Sequence, residues 1–354
     1  MNIGTKGKRV CICGAFDFVG KLTGGQHTKT RELYYALCEQ LGKENISFVD
    51  THNWKKHPVK VLWQYVLRSV RADKLIMLPS SNGLKVFPYM LSMSKYLMGK
   101  QIYFDVIGGI LHDVTRNNPK LIKVLQCFDG IWVEGKRMEA SLREQGLKNV
   151  YYVRNFKILN PIKQSDICMP DTLPLKLCTF SRVVKTKGTT DAIEAVAMAN
   201  EMLGQKAFAL DIYGHIGEEY REEFETLLAT YKDCVKYAGL VQPHESVNAL
   251  KAYFLLLFPT YFAGEGMPGT LIDALAAGIP TIASDWHCNS EIVVEENTGY
   301  ILPPQNVRLW AEKLVYCYQH MDKINHMRIA CRKEYEKYTK ETVIKQIIQL
   351  MGEI

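Results

Sequence analysis

The chain has 354 residues, enough for two domains with complete hydrophobic cores, and its 47% apolar and 23% charged fractions are those of an ordinary globular protein. The longest uncharged apolar run, residues 252–264, falls short of the ~18–20 residues of a membrane span and is broken by Pro259, so no transmembrane helix is expected. Charge is uneven: residues 1–165 carry 26 Lys and Arg against 12 Asp and Glu, whereas residues 166–354 carry 18 against 25, and a basic half of this size suits an anionic partner.

The opening MNIGTKGKRVCICGAF sets charge against a short β-like run and lacks the apolar region of a secretory signal, so the mature chain is expected to start here. Residues 9–13, 46–50, 74–78, 101–106, 130–134 and 149–153 read as strands separated by helical connections, the rhythm of a doubly wound parallel sheet. Thr30, Leu33, Leu37 and Leu41 mark a helix that stops at Gly42 and follows a Thr23-Gly24-Gly25 loop. Residues 53–71 combine Lys55, Lys56, Lys60, Arg68 and Arg71 with an apolar stripe of Val59, Leu62, Trp63, Val66 and Val70. That stripe reads either as the core face of a sheet-covering helix or as a surface for an anionic bilayer.

The rhythm restarts after the Pro-containing segment 169–176, taken as a linker. Strands are expected at 176–181, 207–213, 234–240, 254–259 and 280–284, with helices at 192–203 and 269–277 and a helical tail from residue 307. The expected domains are residues 1–168, residues 169–325 and a helical segment 326–354 that packs back on the first domain. Ten scattered cysteines without a CxxC pair read as reduced core thiols.

Two segments carry the chemistry. In GEGMPGTLIDALAAGIPTIASD, residues 264–285, a glycine-rich loop leads from a strand to a helix opening at Gly269-Thr270, whose free N–H groups and dipole suit a phosphate. Gly266 and Gly269 permit close backbone approach, and Glu265 is placed to accept hydrogen bonds from sugar hydroxyls. By itself this segment is equally a strand, a loop and a helix with a capping threonine. In FSRVVKTKGTTDAIEA, residues 180–195, Arg182 and Lys187 follow the first strand of the second domain, and two fixed cations at that end of the sheet match a diphosphate.

With the Gly-Gly loop, Tyr213-Gly214, the turn Ala238-Gly239-Leu240-Val241, the Glu-Gly…Ala-Gly-Ile-Pro signature, Glu291 and Thr298-Gly299-Tyr300, the chain resembles the retaining glycosyltransferases of family 4. The resemblance implies an α/β chain of GT-B architecture, two Rossmann-like doubly wound parallel-sheet domains facing across a cleft. It further implies a donor that is a nucleotide-diphosphate sugar, with UDP-sugars favoured, and a glycan or lipid-linked acceptor of surface polysaccharide synthesis. Arg182 and Lys187 would hold the diphosphate, Glu265 the sugar hydroxyls, and Gly266, Met267, Gly269 and Thr270 would line the sugar and phosphates. Gly24 and Gly25 would offer N–H groups to the donor phosphate. Asp273 stands where the family has a second glutamate for the ribose, a shorter carboxylate that puts nucleotide preference in question. His112 falls where the family often has a histidine near the reacting sugar, with His27 and Asp113 as alternatives. No Asp-x-Asp or His/Cys cluster of ligand type is present, so no metal or other cofactor is expected. The implied location is cytoplasmic, peripheral on the inner face of the membrane.

Other classes fit less well. Gly14 to Gly20 lacks the G-x-G-x-x-G spacing of a dinucleotide-dependent oxidoreductase. No nucleic-acid-binding motif accompanies the basic half. A non-catalytic sugar-nucleotide-binding protein of the same fold is the alternative to the transferase.

Overall fold

The apolar runs become strands whose ends differ from the expected ones by one residue at most. The structure, a computed structural model, describes residues 9–18, 25–79, 82–167 and 169–352. In the first unit β1 (Val10–Gly14), β2 (Ile46–Asp50), β3 (Lys74–Leu78), β4 (Gln101–Asp105), β5 (Gly130–Val133) and β6 (Val150–Tyr152) form a parallel sheet of order β2-β1-β3-β4-β5-β6. β1 and β3 are buried along their whole length, because helices cover both faces of a parallel sheet. On one face the helix Gly25–Leu41 sets Leu33 and Leu37 beside Val10 and Ile12. On the same core lies the helix Lys340–Leu350, through Val343, Ile344 and Ile347. The buried Lys74 donates from β3 to the Met351 carbonyl, which also accepts from Tyr103 Oη at 3.1 Å.

The second unit repeats the plan with β7 (Leu175–Phe180), β8 (Phe208–Tyr213), β9 (Val235–Gly239), β10 (Leu255–Phe258), β11 (Thr281–Ser284) and β12 (Gly299–Leu302), in parallel order β12-β11-β10-β7-β8-β9. β12 is an addition to the expected strands: Thr298-Gly299-Tyr300 reads as a motif, and only four residues follow the strand pattern.

The compact units are Met1–Ile158 with Thr339–Ile354, and Leu159–Tyr338. These divisions replace the expected ones at 168/169 and 325/326, for a packing reason on each side. Ile162 is buried in the second unit, where its N–H donates to the Ala276 carbonyl at 3.0 Å and its carbonyl accepts from Arg332 Nε at 2.9 Å. Arg328, fully buried, donates to the carbonyls of Tyr253 and Lys251 at 2.7 Å each, which holds the helix Met321–Glu334 in that unit.

Two further expectations change. The helix Pro58–Arg71 turns Val61, Tyr65 and Ser69 to the core, while Val59, Leu62, Trp63, Val66 and Val70 are all exposed, so the apolar stripe is not a core face. All nine cysteines among the described residues are free, but only six are buried; Cys38 and Cys234 are half-buried and Cys127 is exposed.

Candidate functional site

From β7 the chain of the second unit runs outward to β8 and β9, then returns to place β10 on the other flank of β7. The carboxyl ends of β7 and β10 therefore border a topological switch point, the usual ligand crevice of an open parallel sheet. The loop after β7 contains a short turn, Lys185–Lys187, closed by Gly188 in the left-handed region at φ +73°. A Cβ at Gly188 would lie 2.2 Å from the Pro259 carbonyl oxygen, and Tyr261 N donates to the Thr186 carbonyl at 2.9 Å. Glycine thus lets the loops after β7 and β10 meet backbone to backbone.

That contact brings Lys187 and Glu265 into an ion pair through Nζ and Oε2, with side chains only 9% and 10% exposed. Thr260 Oγ1 donates to the same carboxylate oxygen at 2.9 Å. The Arg182 guanidinium and the Lys187 ammonium each stand 5.2 Å from the centre of the Phe262 ring, the range of a cation–π contact. Phe262 is itself fixed: its carbonyl accepts from Glu265 N at 3.0 Å and from Trp286 Nε1 at 2.8 Å. Behind it, Asn289 Nδ2 donates to the Ser284 carbonyl at 3.0 Å, and Ser284 Oγ donates to the Thr260 carbonyl.

Beyond Glu265 the chain passes Gly266 and the buried Met267 into the helix Gly269–Ala276. No side chain caps this helix, because its N-cap is Pro268 and Thr270 Oγ1 donates to the Phe180 carbonyl at 2.7 Å. Thr270 therefore ties the helix entry to the end of β7 and leaves the helix end to a ligand or solvent. Asp273 is enclosed, 2% exposed, and its Oδ1 accepts from Ser246 Oγ at 2.9 Å. A ribose reaching this carboxylate has to share it with Ser246.

The structure thus gathers Arg182, Lys187, Glu265, Gly266, Met267, Gly269 and Thr270 at one end of one sheet. Apart from Asp273, the remaining expected residues belong to the first unit. Gly25 opens the helix Gly25–Leu41 with no atom within 4 Å of an added Cβ, and Gly24 lies outside the described residues. His112, in the helix Leu111–Arg116, sits 3.4 Å from Asp113 through Nε2, and its buried Nδ1 has no hydrogen-bond partner among the described residues. His27 stacks edge-on against His52 with ring centres 5.4 Å apart, and burial, followed by the His52 charge, lowers its pKa. Among the described residues no group of three or more His, Cys, Asp and Glu is arranged to hold a metal ion.

Sequence reasoning missed Thr260 and Phe262, which shape the site, and a buried cluster in the first unit. Lys29 Nζ lies 2.6 Å from Asp105 Oδ1 and 2.8 Å from Glu134 Oε1, with each side chain less than a tenth exposed. Burial opposes the Lys29 charge, but Asp105 and then Glu134 outweigh it and hold the ammonium above the usual lysine range. Burial pushes the Asp105 carboxyl up to about 6 against the pull of Lys29. Lys29 precedes Leu33 and Leu37 by one and two turns in the same buried row, which marks it as enclosed without naming its partners.

Residues 170–334 match the family model described as Glycosyl transferases group 1. The amylovoran biosynthesis glycosyltransferase AmsK of Erwinia amylovora is 23% identical over 185 residues, covering 50% of this chain and 44% of AmsK. The putative colanic acid biosynthesis glycosyltransferase WcaL of Escherichia coli is 29% identical over 147 residues, covering 40% of this chain and 35% of WcaL. The matches thus span less than half the length of these relatives. Along 98% of this chain and 100% of the other, the fold is that of the Anabaena protein Alr3699/HepE in complex with UDP, at a TM-score of 0.72 and 13% identity. Two six-stranded parallel sheets in this order are the GT-B architecture.

Proposed function

Because residues 170–334 match the family model described as Glycosyl transferases group 1, we propose that the chain is a retaining glycosyltransferase that moves a sugar from a UDP-sugar to a glycan or lipid-linked acceptor in surface polysaccharide synthesis. The observation that carries this reading is the convergence of Arg182, Lys187 and Glu265 on Phe262, beside the uncapped entry of the helix Gly269–Ala276. Two cations and a helix N-terminus suit a diphosphate, and one carboxylate beside them suits sugar hydroxyls. The names of two relatives, in amylovoran and colanic acid biosynthesis, support the pathway, and the UDP complex of the Anabaena structure supports the nucleotide.

In the proposed reaction the acceptor hydroxyl oxygen bonds to the anomeric carbon as the bond from that carbon to the diphosphate oxygen breaks. The hydroxyl proton passes to the leaving phosphate, and attack on the face the phosphate departs from retains configuration. Arg182, Lys187 and the N–H groups of Gly269 and Thr270 stabilise charge growing on the diphosphate, which lets it leave without a metal. Glu265, held by Lys187 and Thr260, is already oriented for the sugar hydroxyls, and Gly266 and Met267 line the sugar. Asp273 contacts the ribose in place of a longer glutamate. From the first unit, Gly24 and Gly25 are assigned to the donor phosphate and His112 to the reacting sugar. The basic first unit is assigned to an anionic membrane at the cytoplasmic face, where lipid-linked acceptors are presented.

Proton NMR of the product made from an α-linked UDP-sugar tests the reaction directly. An α-linked product supports retention, a β-linked product overturns it, and tight UDP-sugar binding without turnover on any acceptor favours a non-catalytic binding protein.

A further inference from the structure

The helices Pro58–Arg71 and Phe87–Met98 pack on the same core of the first unit, and each buries only a narrow row of residues. They are joined by a hydrogen bond between Tyr65 Oη and Ser94 Oγ, and Lys100 Nζ, just past the second helix, donates to the Val70 carbonyl of the first at 3.1 Å. Their outer surfaces are apolar where a solvated helix would be polar. Val59, Trp63 and Val70 are 78%, 63% and 59% exposed on one helix, and Met93, Tyr96 and Leu97 are 59%, 89% and 67% exposed on the other. Isolated exposed apolar residues need no explanation, but a paired-helix surface of them marks an interaction site.

The charge on this surface has one sign. Neither helix contains an Asp or Glu, while Lys55, Lys56, Lys60 and Arg71 are exposed on or beside the first of them. The one lysine within the second helix, Lys95, is paired with Asp129 at 2.7 Å. We propose that the outer faces of these two helices are a docking surface for an anionic lipid bilayer, with the apolar side chains entering the boundary between headgroups and acyl chains and the lysines meeting lipid phosphates. This deepens the membrane reading above, rests on it, and says where contact is made.

Charge selects this occupant. A second copy of the chain seated on the same surface would set the lysines against lysines with no carboxylate on either helix to pair them. A bilayer supplies both missing partners, an apolar layer and a sheet of negative charge. With 14 and 12 residues the helices suit a position in the plane of the interface, and no described helix is long and apolar enough to cross a membrane. Trp63 and Tyr96 are side-chain types that favour this depth, with an apolar ring and a polar edge.

Sedimentation of the full chain with vesicles of phosphatidylcholine alone, or with phosphatidylglycerol added, tests the proposal. Binding is expected only to the anionic vesicles, weakening about fivefold for each of Lys55, Lys56 and Lys60 replaced by Ser. A Trp63→Ser/Tyr96→Ser variant should bind at least tenfold more weakly while its thermal midpoint and UDP affinity stay at wild-type values. Failure of the wild type to bind anionic vesicles overturns the membrane reading itself. Binding that survives both sets of substitutions leaves that reading standing and overturns the assignment of this surface, as does a concentration-dependent dimer abolished by Trp63→Ser.

Discussion

Lys29 is buried and Lys187 nearly so, each in an ion pair, and they differ in what surrounds them. Lys187 was legible because it stands before Gly188 at the entry to a helix, where a cation beside a glycine suggests a phosphate. Lys29 was not, because it occupies a row of the helix that leucines occupy further on, and one sequence does not say which carboxylates the fold brings to it. Its two partners come from the end of β4 and the residue after β5, 76 and 105 positions away. Removing Lys29 leaves two enclosed carboxylates, so Lys29→Met should cost roughly 3–5 kcal/mol at neutral pH. The loss should shrink at pH 5, where protonation relieves the cluster. In the wild type the folded state keeps a proton on Asp105 up to about pH 6, whereas the unfolded chain releases it near 3.8. The folded state therefore binds more protons in that window, and the Asp105 contribution to stability falls as pH rises through it, by about 3 kcal/mol. Urea unfolding between pH 4.5 and 7.5 should show this slope in the wild type and not in Asp105→Asn; equal slopes would contradict it.

At the scale of elements the strands were read almost to the residue, since buried parallel strands are short apolar runs bounded by polar turns. One strand was missed and one helix face was left open between two readings, each for a physical reason. Gly299–Leu302 is short enough that a glycine at its start masks the strand. In the helix Pro58–Arg71 the apolar positions occupy a wide arc, and periodicity does not say which part of an arc meets the sheet. Burial chose the row Val61, Tyr65 and Ser69 and left the rest outside. The site itself depends on one approach between elements, the loop after β7 against the loop after β10 at Gly188. Alanine there meets both a left-handed backbone and the Pro259 carbonyl, so Gly188→Ala should destabilise the second unit by roughly 2–4 kcal/mol. A fall in thermal midpoint on the order of 5–10 °C is expected, together with weaker UDP binding. An unchanged midpoint would mean that the two loops can separate without consequence for the fold.

The whole molecule divides its labour by charge and by unit. The basic half carries the helices proposed to meet a bilayer, and the segment that matches the family model falls in the acidic half, where a few fixed cations stand out against the background. Composition made this division visible, but the unit boundaries followed packing that composition does not record, through Ile162 on one side and Arg328 on the other. The sequence motifs brought Arg182, Lys187, Glu265 and the Gly269-Thr270 helix entry to attention because they stand out through local spacing, and the fold sets them at one end of one sheet. The enclosure of Asp273 by Ser246 depends on a residue 27 positions away and was not legible.

On the proposed reading, Lys187 serves the diphosphate and Glu265 the sugar. Calorimetric titration of UDP and UDP-glucose, in chelator, into the wild type, Lys187→Ala and Glu265→Ala tests it most directly. UDP binding should weaken about ten- to hundredfold in Lys187→Ala. Glu265→Ala should keep UDP affinity and lose only the increment that the sugar adds. Equal losses for UDP and UDP-glucose in Glu265→Ala, or UDP affinity untouched by Lys187→Ala, would contradict it.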